Sequence, residues 1–262
     1  MDMNLEGRRA LVCGASQGIG RATAETLAEM GASVTLTARN EEALQEVGQG
    51  LDRGHGQEHD WFPSDFDRPE ALESVIRNRV EAGQRYAILV NNSGGPPGGP
   101  AHTAEKDAYT SAFQRHLICN QILLQALLPG MREEGFGRII NIISTSVREP
   151  IPGLGVSNTV RGAVASWAKT VAHELAPEGI TVNNVLPGFT RTGRLEKLLT
   201  GKAEKTGRGF AEVEADALAQ VPMGRFAEPG EVAAAVGFLA APAASYITGH
   251  SIPVDGGRTR SI

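Results

Sequence analysis

Short apolar runs alternate with longer amphipathic stretches along the whole chain. Ala10-Leu11-Val12-Cys13 is followed by helical spacing over 19–30, and the β-branched run Ser33–Ala38 by helical spacing over 41–51. Further strands are predicted at 61–62, 86–90, 138–143, 180–186 and 252–254. Recurrence every three to four residues predicts helices at 69–82, 104–132, 158–175 and 231–239. Such alternation means βαβ units, whose parallel strands are covered on both faces and therefore read as nearly unbroken apolar runs. The expected architecture is α/β, a single-domain doubly wound parallel sheet of about seven strands spanning 1–262. Residues 94–100, Gly-Gly-Pro-Pro-Gly-Gly-Pro, form a loop inside that domain. Residues 191–221 show neither a clean strand nor a clear helix and are a candidate lid-like insertion. Because ligands of such sheets bind beyond the carboxyl ends of the strands, the loops after Cys13, Ala38, Val90, Ile143 and Leu186 should face one cleft.

Composition narrows the function classes. The 262 residues are 41% apolar and 21% charged, with a net charge of −5, which suits a soluble globular protein and argues against a nucleic-acid partner. No apolar run approaches the roughly 20 residues of a membrane span. The start, Met1-Asp2-Met3-Asn4-Leu5-Glu6, lacks the basic and apolar regions of an export signal, so a cytoplasmic location is expected. Cys13 and Cys119 alone make no disulfide framework, and the histidines at 55, 59, 102, 173 and 250 have no metal-ligand spacing, so no metal is expected.

Between the first strand and first helix lies Gly14-Ala15-Ser16-Gln17-Gly18-Ile19-Gly20. Glycines there allow a tight turn and let backbone amides approach a pyrophosphate at the positive end of a helix. A plain strand-to-helix turn would also use them. Further motifs follow in order: Asn91-Asn92-Ser93-Gly94, then 137–144 ending in Ser144, then Pro187-Gly188-Phe189-Thr190-Arg191-Thr192, then Ile247-Thr248-Gly249 and Val254-Asp255-Gly256-Gly257. With the Gly-xxx-Gly-x-Gly spacing, this series resembles the short-chain dehydrogenase/reductase family over nearly the whole length. Its overall pattern is most like that of the 3-oxoacyl-carrier-protein reductases. The resemblance implies a Rossmann sheet and a nicotinamide dinucleotide. It places Gly14, Ser16, Gln17, Gly18, Ile19 and Gly20 at the pyrophosphate, Asn92, Ser93 and Gly94 beside it, and Pro187, Gly188, Thr190 and Thr192 toward the nicotinamide.

Two positions bear on which dinucleotide. After the second strand an acidic residue would hold a ribose 2′-hydroxyl, whereas an arginine would accept a 2′-phosphate. The chain has Ala38-Arg39 there, with no carboxylate before Glu41, which favours NADP; a solvated loop charge is the plainer reading of Arg39. Asp65-Phe66 resembles the family's adenine-contacting pair, and Asp65 could equally cap a turn before Asp67.

The catalytic positions depart from the family. The resemblance implies a tyrosine thirteen residues after Ser144 and a lysine four further on, and these positions hold Ser157 and Arg161. The family's helical asparagine, twenty-eight residues before Ser144, is His116. A tyrosine, with an unperturbed pKa of ~10, can be tuned by a neighbouring lysine to exchange a proton with a carbonyl oxygen. A serine hydroxyl is a far weaker acid and shorter by a ring. Arg161 keeps the positive charge and can anchor ribose hydroxyls, but it does not relay protons. His116, at the ordinary pKa of roughly 6.5, suits general-acid work, or it is a satisfied buried histidine. Helical spacing puts it on one face with Tyr109 and Phe113.

Two functions therefore stand: an NADP-dependent reductase of a carbonyl, such as a 3-oxoacyl group, with an altered proton donor, or a non-catalytic dinucleotide-binding sensor or scaffold. Between 191 and 208, six basic residues face only Glu196 and Glu204, which favours an anionic or carrier-bound small-molecule partner or describes a solvated surface. By resemblance, association through the long helices is expected. Leu123, Leu124, Leu127, Val164 and Trp167, in excess of what one sheet face needs, predict a homotetramer or homodimer.

Overall fold

The computed structural model describes residues 1–261; Ile262, the last residue of the expected 1–262 domain, lies outside the described residues. Seven strands form one parallel sheet in the order β3-β2-β1-β4-β5-β6-β7: β1 (Arg9–Cys13), β2 (Ser33–Ala38), β3 (Asp60–Pro63), β4 (Ile88–Asn91), β5 (Gly137–Ile142), β6 (Ile180–Pro187) and β7 (Ser251–Val254). Strand order reverses at β1, where Leu11 lies opposite Thr35 of β2 on one side and Leu89 of β4 on the other. The carboxyl end of β1 is therefore the crevice where such sheets receive ligands.

Alternating side chains of each strand feed two helical layers. Ala10 and Val12 point toward α1 (Gly18–Glu29), α2 (Glu41–Gly50) and α9 (Pro229–Ala240), joining Leu27, Leu44 and Val236 in one buried cluster. Leu11 and Cys13 point the other way, toward α3 (Pro69–Glu81), α5 (Cys119–Glu134) and α6 (Gly155–Leu175), joining Leu72, Leu123 and Val171. Leu27, Leu44, Leu72 and Leu123 are fully buried, each stabilising the fold by about 2 kcal/mol of apolar transfer. Helix ends follow from local chemistry. Asn40 accepts from the Ala43 amide (3.1 Å) to start α2, Pro129 notwithstanding α5 runs on to Gly135 at φ 59°, and Glu231 reaches back to the Glu228 amide (2.9 Å) at the start of α9.

Three expectations are corrected. The predicted helix 104–132 is broken into α4 (Lys106–Phe113), a π turn (Gln114–Ile118) and α5. A π turn holds more residues per turn than an α-helix, so helical phase shifts across it. Phe113 is 41% exposed while His116 is 2% exposed, so these two do not share one face. Residues 191–221 are not irregular; they fold into α7 (Gly193–Thr206) and α8 (Phe210–Leu218), whose Leu195, Leu199 and Val213 pack with Phe226 in a separate small core. Finally, Leu123, Leu124, Leu127 and Val164 are buried within the single chain, so they offer no surface for association. No helix is long and apolar enough to cross a membrane.

Candidate functional site

The loop after β1 is shaped by close backbone approach. Gly14 and Gly18 have φ of 61° and 57°, where side chains are strained. A Cβ at Gly14 would come 2.7 Å from Asn92, and one at Gly20 would come 2.1 Å from the Gly14 carbonyl oxygen. Asn92 fixes this contact by donating from Nδ2 to the carbonyls of Cys13 (3.2 Å) and Gly14 (3.4 Å). The loop after β4 is thereby tied to the glycine loop. Gln17 leaves the amino end of α1 without a side-chain cap, and no acidic residue lies in its first turn. Uncapped amides at a helix start with no competing carboxylate fit a pyrophosphate. Thr192 starts α7 by accepting from the Leu195 amide (3.4 Å), and its methyl group lies against Gly18, so the opening of the α7–α8 segment covers the turn. Gly188, paired with Val254 through its amide (2.9 Å), allows no Cβ because Asp255 is 2.7 Å from where one would be. Thr190 is buried beside Ala227 and anchors the same segment.

At the end of β2, Arg39 is exposed. Asp65 accepts from the Asp67 amide (3.1 Å), a turn-capping role, and Phe66 is buried among Leu11, Leu72 and Ile76. Ser16 and Ile19 are half-buried within the glycine turn.

On the other side of the crevice, Ser144 lies two residues beyond β5 and caps the turn Thr145–Val147, its Oγ accepting from the Ser146 amide (3.1 Å). α6 begins at Gly155, three residues earlier than its periodicity suggested, so Ser157 stands in the first turn, half-buried. One turn on, Arg161 is buried, donates from Nη1 to the Ile142 carbonyl (2.7 Å), and has an Nε with no partner. Burial, then the charge of Arg194, lowers its guanidinium to about 10.

His116 is placed by the π turn. Its Nδ1 is 2.7 Å from Ser93 Oγ, and its Nε2 is sealed without a partner. Burial first, then the cations Arg161, Arg115 and Arg194, push its pKa down to about 2. Both causes favour the neutral imidazole. Of the two readings of His116, general acid or buried histidine, burial and the neighbouring cations weigh against the charged imidazole, because neither solvent nor a carboxylate supports it.

Two features escaped the sequence reading. A buried amide row crosses the sheet, Asn91 donating to Asn141 (2.8 Å), Asn141 to Asn184 (2.9 Å) and Asn184 to Ser251 Oγ (3.1 Å). Asn141 and Asn184 inside predicted strands, with Asn91 just past the end of a third, were its available signal. The other is Arg194, whose Nη2 donates to the Pro96 carbonyl (2.7 Å) and pins the start of α7 to the 94–100 loop. Among the described residues no three His, Cys, Asp or Glu side chains gather as metal ligands, and Cys13 and Cys119 are buried free thiols.

A parallel sheet whose strand order reverses at β1, with a glycine turn opening an uncapped helix at that point, defines a dinucleotide-binding α/β protein. The family model described as enoyl-(acyl carrier protein) reductase matches residues 14–259. The 3-oxoacyl-[acyl-carrier-protein] reductase FabG of Vibrio cholerae is 37% identical over 258 residues, covering 97% of this chain and 98% of that one. Among solved structures, L-sorbose reductase from Gluconobacter frateurii, complexed with NADPH and L-sorbose, superposes with a TM-score of 0.92 at 29% identity over all of both chains. YwfH, an NADPH-dependent reductase involved in bacilysin biosynthesis, gives 0.91 at 29% identity, over 97% of this chain and 99% of the other. The chain belongs to the short-chain dehydrogenase/reductase family.

Proposed function

We propose that this protein is an NADP-dependent carbonyl reductase whose catalytic centre works without the family's tyrosine and lysine. The observation that carries this reading is the complete glycine turn, locked by Asn92, in the same crevice as Ser144 and the buried cation Arg161. Gly14 to Gly20, Asn92, Gly188, Thr190 and Thr192 would hold the dinucleotide, and exposed Arg39 would meet the 2′-phosphate. When bound, the cofactor supplies a hydride to the carbonyl carbon.

The chain's residues do the rest. Ser144 donates a hydrogen bond to the carbonyl oxygen, and the permanent charge of Arg161 stabilises the negative charge that builds there. Ser157 is too short to span the space of a tyrosine, so the proton reaches the oxygen from water ordered by the two serines. Neutral His116 positions Ser93 and transfers no proton. Asp65 and Phe66, one engaged in a turn and the other in the core, bound the adenine end. A cytoplasmic location and self-association, the habit implied by the family resemblance, complete the reading.

Steady-state oxidation of NADPH against 3-oxoacyl thioesters, oxo acids and simple ketones tests it. Turnover with at least one of these is expected, reduced roughly 100-fold in Ser144→Ala. Tight NADPH binding with no oxidation across the panel would support the sensor or scaffold instead, the reading favoured by the missing tyrosine and lysine.

A further inference from the structure

The basic excess around α7 is mostly neutralised at the surface. Arg191 pairs with Glu228 (3.2 Å), and Arg208 pairs with Glu212 and Asp216 (2.7 Å each). Arg194 behaves differently. It reaches back over Gly95 to the 94–100 loop, and its one hydrogen bond among the described residues is to the neutral carbonyl of Pro96. Arg161 likewise donates to a neutral carbonyl, that of Ile142. Among the described residues neither arginine has a carboxylate partner. The third cation near His116, Arg115, is already paired with Asp67 (Nε to Oδ1, 2.9 Å).

The two uncompensated guanidinium groups flank one crevice: Arg194 lies against Gly95, two residues after the Ser93 whose hydroxyl meets His116, and Arg161 is bonded to Ile142, two residues before Ser144. Buried or half-buried like charges are costly unless an anion balances them. A ribose diol would accept hydrogen bonds from Arg161 but carries no charge.

We propose that Arg194 and Arg161 together bind a carboxylate on the substrate, so that the carbonyl compound reduced here is an oxo acid rather than a neutral ketone. This rests on the reductase reading above. The planar fork of arginine matches a carboxylate edge to edge. Arg161 stands one helical turn beyond Ser157, which places the anion within a few bonds of the carbonyl that Ser144 polarises. The phosphate of a carrier arm would instead lie the length of that arm away.

Calorimetric titration of the NADP-saturated protein with phenylpyruvate, benzoylacetate and 3-benzoylpropionate, each beside its methyl ester, tests the assignment. At least one acid should bind about 30-fold more tightly than its ester, the scale of a charge-assisted bidentate pair. Arg194→Gln should shrink that ratio below about threefold while NADPH affinity stays within about twofold, and Arg194→Lys should retain part of it. Arg208→Gln, altering a charge already paired at the surface, should leave the ratio intact. Equal binding of acids and esters throughout overturns the proposal. So does an Arg194→Gln variant that keeps the acid preference but loses NADPH, since Arg194 would then serve the cofactor. Absence of any NADP binding would overturn the reductase reading itself, and the acid and ester comparison without nucleotide would still report on the arginine pair.

Discussion

In the proposed reading the backbone is the functional group in the turn between β1 and α1, whereas between β5 and α6 the function lies in side chains. At the first, a methyl group on Gly20 would collide with the Gly14 carbonyl at 2.1 Å, and Asn92 locks the turn from the neighbouring strand. At the second, Ser157 and Arg161 occupy α6 without disturbing it, and Ser144 still caps its turn. The difference teaches that a site written in backbone geometry allows little substitution without losing its shape. A site written in side chains can change its chemistry while the helix carrying it stays intact.

The largest effect should come from attacking the backbone site. Gly20→Ala must displace either the Gly14 carbonyl or Asn92, and NADPH affinity is expected to fall at least about 100-fold by calorimetry. Restoring side chains should act in the opposite sense. Ser157→Tyr with Arg161→Lys is expected to raise kcat/KM for carbonyl reduction about tenfold or more, within the range of a positioned general acid. An unchanged rate in this double variant, with NADPH still bound, would show that the present centre is a different working design. Arg39→Asp should reverse the preference for NADPH over NADH, a change of about tenfold each way measured by titration with both nucleotides.

The smallest effect on turnover concerns His116, whose pKa of about 2 in the folded chain compares with roughly 6.5 when unfolded. As pH falls below that unfolded value, the unfolded chain takes up a proton that the native chain refuses. Stability present above pH 6.5 is therefore lost on acidification, by about 1.4 kcal/mol per pH unit from this group. His116→Asn should flatten that slope in denaturant titrations at pH 7, 5 and 4. No histidine ionisation should appear in the pH–rate profile, and a fall in turnover through pH 6.5 that His116→Asn removes would contradict the neutral assignment.

Much of this was legible in the chain alone. Alternating strand and helix periodicity located seven strands, because parallel strands covered on both faces must be apolar whatever surrounds them. Gly14, Gly18 and Gly20 announced the cofactor turn, since those conformations and contacts exclude other residues locally. Ser157 and Arg161 could be counted off from Ser144 because the family resemblance implies that spacing, and the four-residue step between them is one turn of α6. What the tertiary structure decided depends on neighbours distant in sequence. The π turn rotated His116 away from Phe113, and burial among three arginines removed its charge. The leucines of α5 that suggested a surface are buried against β-strands and α3. Arg194, one of six basic residues in its stretch, turns inward toward Pro96 while Arg191 and Arg208 find carboxylates outside. Periodicity carries the first kind of information because backbone hydrogen bonding repeats along the chain; burial and charge balance do not repeat, and are settled only when remote segments meet.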